Sequence, residues 1–325
     1  MNGTACPILQ MKVFGRTTIA SLHPSAMVLK EPMVWQERKG EKSKPVERFD
    51  LPMRARIDAE ITDRAVAFIE REAKTEDPFF LFLPYTQTHQ PRIPHADFDG
   101  KSGNGVRGDL LMQMDAYTGQ VLDALKTQGI ADNTIVIFTS DNGGDFFEDA
   151  SFPGPWRGTY FTGLKGSLRV PFIMRWPGHI PAGSVNKEIV HEMDLLPTLA
   201  AIAGGTIPDD RIVDGVKQVN FITGATAISP RESVIVYLGP DLFAVKWHGW
   251  KVAFKEMDEG YGSPVKEFPA PVINDPRKER PVSTVIQSNT WVGGPVMRAL
   301  NAHLQSLVDE PSIPTGTTDP YVPAN

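Results

Sequence analysis

Apolar positions along the chain follow two periods. Ile57, Ile61, Ala65, Phe68 and Ile69 recur every three or four residues in RIDAEITDRAVAFIEREAK, which predicts an amphipathic helix. Asp77-Pro78 is its expected stop, because proline disfavours helix at the residue before it. FFLFLPY, residues 79–85, is a continuous apolar run of strand length, as expected of a strand buried on both faces. A polar loop follows, THQPRIPHADFDGKSGNGVRG. DLLMQMDAYTGQVLDALKTQG then places Leu111, Met114, Tyr117, Val121, Leu122 and Leu125 on one helical face, with Gly129 as its stop. TIVIFTS is the next strand. Strand, loop, helix and strand in that order predict a right-handed βαβ crossover.

MKVFG and MVLKEPMVWQ, ahead of this unit, are short strand candidates, and ERKGEKSKPVER is a charged linker or hairpin tip. Downstream, VPFIMRWPG (residues 170–178) predicts a strand, followed by a turn at Pro181-Ala182-Gly183. EMDLLPTLAAIAGG predicts a helix capped by Asp194 and stopped by Gly204-Gly205. SVIVYLG, LFAVKWHG and WKVAFKE are strands, and a helix at 296–309 precedes a Pro-rich tail. The predicted architecture is α/β: a mostly parallel sheet flanked by helices over residues 1–230, then a small antiparallel C-terminal subdomain over 231–325.

Composition narrows the partners. The 325 residues are 41% hydrophobic and 22% charged, as in a globular protein, and suffice for one large or two ordinary domains. A net charge of -6 argues against a nucleic-acid binder, so an anionic ligand must be held by local positive charge. The single cysteine, Cys6, allows no internal disulfide and no zinc cluster. No run reaches the length of a membrane-spanning helix. MNGTACPILQMKVFG shows no basic region followed by an apolar stretch, so it reads as no signal peptide. Periplasm and cytoplasm both stay open.

Candidate chemistry clusters after two of the predicted strands. In open α/β sheets, ligands sit outside the carboxyl ends of parallel strands. The first strand runs past Tyr85 into Thr86, Gln87, Thr88 and His89, with His95 further on in a Pro94-His95-Ala96-Asp97 turn. The second runs past Ser140 into Asp141, Asn142 and Asp145. Neighbouring parallel strands would bring these groups together. Asp141 and Asn142 offer the carboxylate and amide oxygens that hard divalent cations take, beside a sharp turn at Gly143 and Gly144. The same residues make an ordinary turn, and the two readings weigh equally. His89 is either a proton donor to a leaving group or a loop histidine bonded to backbone.

FFLFLPYTQTHQP, ADNTIVIFTSDNGG, RVPFIMRWPGHIPAG, VHEMDLLPTLAAIAGG and VDGV, in this order, resemble the sulfatase family. The resemblance is to arylsulfatase-like members of the alkaline-phosphatase superfamily and covers roughly residues 55–255. It implies an alkaline-phosphatase-like fold. It also implies that Asp141 and Asn142 are late ligands of a calcium or magnesium ion, and that His89 contacts the sulfate ester and assists the leaving group. Arg169-Val170-Pro171 matches a structural segment. Many sulfatases carry a lysine in a stretch ending Glu-Gly-Gly-x-Arg-Val-Pro. Aligned without gaps, that lysine falls at Tyr160, and Lys165 takes the glutamate position. Lys165 is still a flexible point charge suited to a sulfate contact, or else a solvated loop lysine. Arg157 is an anion contact or part of a structural corner, Trp156-Arg157-Gly158.

The family's front segment carries paired aspartates and a nucleophile motif: Cys or Ser, any residue, Pro, any residue, Arg. Its first residue becomes formylglycine, and a Gly-Lys-x-His segment follows. Here Cys6 is followed directly by Pro7. Ser43-Lys44-Pro45-Val46 leads to Glu47, with Arg48 one place late; Ser151-Phe152-Pro153-Gly154 leads to Pro155; Ser312-Ile313-Pro314-Thr315 leads to Gly316. None fits. The resemblance therefore implies a sulfuric ester hydrolase of arylsulfatase type acting on a small-molecule sulfate ester. His89 and Lys165 would be catalytic, and the nucleophile would be lost to a truncated or mis-started reading frame. Two alternatives stand: an inactive sulfatase-like protein that binds a metal or an anion, and a phosphoric ester hydrolase of the same superfamily. The loop 144–165, with Phe146, Phe147, Phe152, Trp156, Tyr160 and Phe161, is the candidate for substrate specificity.

Overall fold

The computed structural model describes residues 32–38, 40–144, 156–209, 212–257, 263–274 and 289–311. MKVFG, Cys6, Asp145, the aromatics Phe146, Phe147 and Phe152, the Ser151 and Ser312 segments and the Pro-rich tail lie outside these. The chain forms two compact units, Met1–Thr134 and Ile135–Asn325.

In the first unit, strand β1 (Met33–Gln36) pairs antiparallel with β2 (Lys44–Arg48), and the charged stretch between them turns the hairpin. Helix α1 (Leu51–Glu72) begins where the Asp50 carboxylate accepts the Met53 N–H at 3.0 Å, and Pro52 fits the first turn, where its missing N–H costs nothing. Its stripe of Met53, Ile57 and Ile61 packs on Val34, with Phe49 and Leu83 alongside. The helix ends at Glu72, ahead of Asp77-Pro78, because residues 74–78 are exposed and bury nothing. Helix α2 (Gly105–Thr127) buries Leu110, Gln113, Tyr117, Ala124 and Leu125, while the expected core residues Leu111 and Leu122 face outward. The rotation puts two polar groups inside. Asp109 accepts the Gly100 and Ser102 N–H groups, and Gln113 accepts that of His95, so the 95–102 loop finds its partners on the helix. Gly129, at φ +72°, ends the element as expected.

Residues 79–85 depart from the prediction. They form no ladder among the described residues, so no βαβ crossover is seen there. The run is covered on one side only. Phe79 meets Phe68 edge-on at 5.6 Å, and Tyr85 hydrogen-bonds Thr62 at 3.2 Å, whereas Phe80 and Phe82 are 61% and 70% exposed.

In the second unit, β3 (Val136–Thr139) pairs antiparallel with β4 (Phe172–Arg175), matching Phe138 with Ile173. β3 is half-buried rather than enclosed, and every ladder among the described residues is antiparallel, so the expected parallel sheet is not seen in them. The C-terminal strands do form a meander: β5 (Ser233–Leu238), β6 (Asp241–Trp247), β7 (Trp250–Glu256) and β8 (Lys266–Asn274). Pro269 and Pro271 hide β8 from sequence reading. They are tolerated because β8 is an edge strand and its register with β7 slips between Ala253 and Lys255. One face of the meander packs Val245, Val252 and Ile273 against Val296 and Leu300 of a C-terminal helix, Gly293–Asp309. Its other face holds Val236 and Phe243 against Gly163, in a loop that leads into a short helix, Lys165–Leu168.

Asp194 was expected to cap the helix Leu195–Ile202, but its side chain makes no such cap. It lies fully buried and accepts the His191 and Val216 N–H groups, the Gln218 amide and the Arg231 guanidinium. The carboxylate thus joins three chain segments, and its bond to the His191 N–H closes a capping box on the 3-10 turn Glu192–Asp194 that leads into the helix. No described helix is long and apolar enough to cross a membrane.

Candidate functional site

His89 stands in a turn closed by its own N–H on the Thr86 carbonyl at 3.1 Å. Its ring is exposed. Nδ1 lies 2.6 Å from the Gln90 carbonyl, which can only accept, so Nδ1 carries a proton and Nε2 points elsewhere. The turn is tied to α1. Arg54 donates to the Thr86 carbonyl at 2.9 Å, to the His89 carbonyl at 2.7 Å and to the Thr86 hydroxyl. Asp58 accepts the Thr86 N–H at 2.9 Å and its hydroxyl at 3.0 Å. Burial pushes the Asp58 carboxyl up, against these hydrogen bonds and the Arg54 charge, and burial likewise lowers Arg54. Between Thr86 and His89, the buried Gln87 amide finds no partner among the described residues. A group in that position calls for a water or a ligand atom. His95 is half-buried, in a turn, as expected.

Asp141 and Asn142 lie at the end of β3, in the second unit. The Asn142 amide nitrogen donates to the Gly143 carbonyl at 2.8 Å. Gly143 donates to Ser167 at 2.9 Å, and the Gly144 carbonyl accepts from Tyr160 at 2.8 Å. The turn is therefore sewn to the 157–167 loop, and glycine is required for it: a Cβ on Gly143 would lie 1.7 Å from the Gly166 carbonyl oxygen. Asp141 is exposed. Burial and the Asp141 charge together push both Tyr160 and Glu192 up. Carboxylate and amide oxygens amid this negative charge suit a hard cation in kind, and the two donors supply part of a shell. Among the described residues, no group of three His, Cys, Asp or Glu side chains completes one.

Lys165 sits in the same loop, with its ammonium 5.1 Å from the Trp156 ring centroid; Arg169 lies 4.1 Å from the same ring. More cations lie near. Lys246 and Lys251 are cross-strand partners on β6 and β7, and Lys251 donates to the Gly163 carbonyl at 2.5 Å. Burial, then Arg169 and Lys165, lowers Lys246. Burial pushes Lys251 down to about 8, with Glu256 opposing and Arg157 and Lys165 adding to the shift. Arg157 is ion-paired with Glu256, in keeping with the structural corner rather than a dedicated anion contact.

The second unit thus gathers Asp141, Asn142 and Lys165 on one stitched loop system, and the first holds His89. Sequence reading missed Arg54 and Asp58. Their signal was present: Arg54, Asp58 and Thr62 recur every four residues beside the Ile57–Ile61 stripe, so two charges fall on a buried face.

A family model described as Sulfatase matches residues 27–205. Human arylsulfatase D is 38% identical over 203 residues, which are 58% of this chain and 34% of that protein. Human steryl-sulfatase is 32% identical over 284 residues, 77% of this chain and 48% of that protein. The crystal structure of the PsFucS1 sulfatase from Pseudoalteromonas sp. superposes with a TM-score of 0.80 at 26% identity, covering 86% of this chain and 59% of that one. The chain therefore spans between a third and a half of these two curated relatives' length. Such similarity assigns it the alkaline-phosphatase-like α/β fold of the sulfatases. The matched span covers more than half of the chain and includes His89, Asp141, Asn142 and Lys165, and the chain belongs to the sulfatase family.

Proposed function

We propose that the whole protein is a sulfuric ester hydrolase of arylsulfatase type, acting on a sulfate monoester of a small molecule. The observation that carries this reading is the Asp141–Asn142 pair, held at the end of β3 on a turn that only glycine can make. In the proposal these two oxygens hold calcium or magnesium. The cation, when bound, supplies charge neutralisation at the sulfate oxygens. Lys165 adds a cationic contact to the anion. His89, when protonated on both ring nitrogens, gives its Nε2 proton to the departing alcohol oxygen and is left as the neutral Nδ1–H form, since Nδ1–H is committed to the Gln90 carbonyl. The mostly parallel sheet belongs to the same reading, through the family fold. A binding measurement tests it. The chain with calcium should bind an aryl sulfate, with free sulfate competing better than phosphate and Asp141→Ala abolishing the signal. Equal competition by phosphate would favour a phosphoric ester hydrolase.

A second reading rests on the motif. None of the 325 residues forms the Cys/Ser-x-Pro-x-Arg nucleophile, so in this reading the chain binds sulfate esters without turning them over.

A further inference from the structure

We propose that Arg54 and Asp58 are positioning residues that set the orientation and tautomer of His89, an inference that rests on His89 acting as proton donor. The two side chains form an i,i+4 ion pair at 4.0 Å, with 3% and 1% of their surface exposed. A buried pair at that separation does little for stability, because desolvation offsets the attraction. What the pair does is bind one turn. Arg54 donates to both carbonyls that bracket it, Thr86 and His89, while Asp58 takes the Thr86 N–H and hydroxyl. Thr86 is thus held from both sides and His89 by its carbonyl.

That anchoring matters because the imidazole is exposed. Its orientation comes from the Nδ1–H bond to the Gln90 carbonyl at 2.6 Å, and the Gln90 carbonyl is placed by the backbone that Arg54 grips at His89. Neutral imidazole in water prefers its proton on Nε2. A dominant Nδ1–H form is therefore the signature of the anchored turn, and it leaves Nε2 as the nitrogen that exchanges a proton with a ligand.

The tautomer is read directly by long-range nitrogen–proton NMR on the labelled full chain, with His89 assigned by its absence in His89→Ala. Wild-type His89 should show Nδ1–H as the dominant neutral form. Arg54→Met and Asp58→Asn should both lose that dominance, and Arg54→Lys should restore part of it by keeping one donor. His248 and His303, in the second unit, should not change in any variant. Should Arg54→Met fail to fold, Arg54→Gln decides, since it keeps a polar side chain but removes the guanidinium that donates to the Thr86 and His89 carbonyls. Nδ1–H dominance surviving in a folded Arg54→Met, or in Arg54→Gln, overturns the proposal. A tautomer that collapses as expected, beside sulfate-ester binding or turnover untouched by His89→Ala, would keep the positioning role and remove the catalytic reading.

Discussion

Gly143 approaches Gly166 so closely that a Cβ on Gly143 would lie 1.7 Å from the Gly166 carbonyl oxygen. The donor pair Asp141–Asn142 and the loop that carries Lys165 are thereby held in one fixed relation. Gly143→Ala must push the two segments apart. We expect it to cost about 1–3 kcal/mol, the usual range for overpacking, and to weaken cation binding even though both donors remain. Calorimetric unfolding and a calcium titration check the two effects separately.

Lys165 stands among Arg169, Lys246 and Lys251, and its charge adds to the lowering of both buried lysines. Lys165→Glu replaces repulsion with attraction at this spot. The variant should ease the repulsion on the two buried lysines, an effect that shrinks as salt is added. Thermal unfolding at low and high ionic strength measures it. A melting temperature that falls would show that the Trp156 contact outweighs the repulsion.

Lys251 gives a pH dependence of known sign. Its folded value is about 8, below the ordinary 10.5. Below pH 8 it is charged both folded and unfolded, and the folded chain bears the full burial cost. Between about 8 and 10.5 the unfolded chain binds more protons, so stability rises with pH across that window. Wild type should therefore gain on Lys251→Met from pH 8 to pH 10, as read by urea unfolding at each pH.

Asp194 gives the opposite case. Burial alone would push its carboxyl up, but Arg231 and the Val216, His191 and Gln218 donors hold it below the usual carboxylate range. Its contribution is present above the unfolded value and is lost as pH falls through the folded one. Asp194→Ala also strands Arg231 and should cost about 3–5 kcal/mol. Wild type and variant should converge in stability at low pH.

Much of the fold was legible because periodicity reports which face an element buries. Ile57, Ile61 and Phe68 gave α1, and the alternation in 233–256 gave three strands of the meander. The run 79–85 departs from the expected two-sided burial because an apolar stretch says nothing of its neighbours: Phe80 and Phe82 are largely exposed. The face of α2 was misread because Asp109 and Gln113 are drawn inward by loop N–H groups that no periodicity records. At the candidate site, Asp141, Asn142 and His89 were visible as residue types at strand ends. The four-residue spacing of Arg54 and Asp58 marks them as buried charges, but what they hold is not readable from it, because their partners lie 28 to 35 residues away in sequence.

The most direct measurement is terbium luminescence on the full chain. Terbium takes the oxygen ligands that calcium takes, and Tyr160, close enough to feel the Asp141 charge, can sensitise it. The account predicts sensitised emission that calcium displaces and that Asp141→Ala and Asn142→Ala each abolish. Emission unchanged in both variants, or none in wild type, would contradict the assignment of this turn as the cation site.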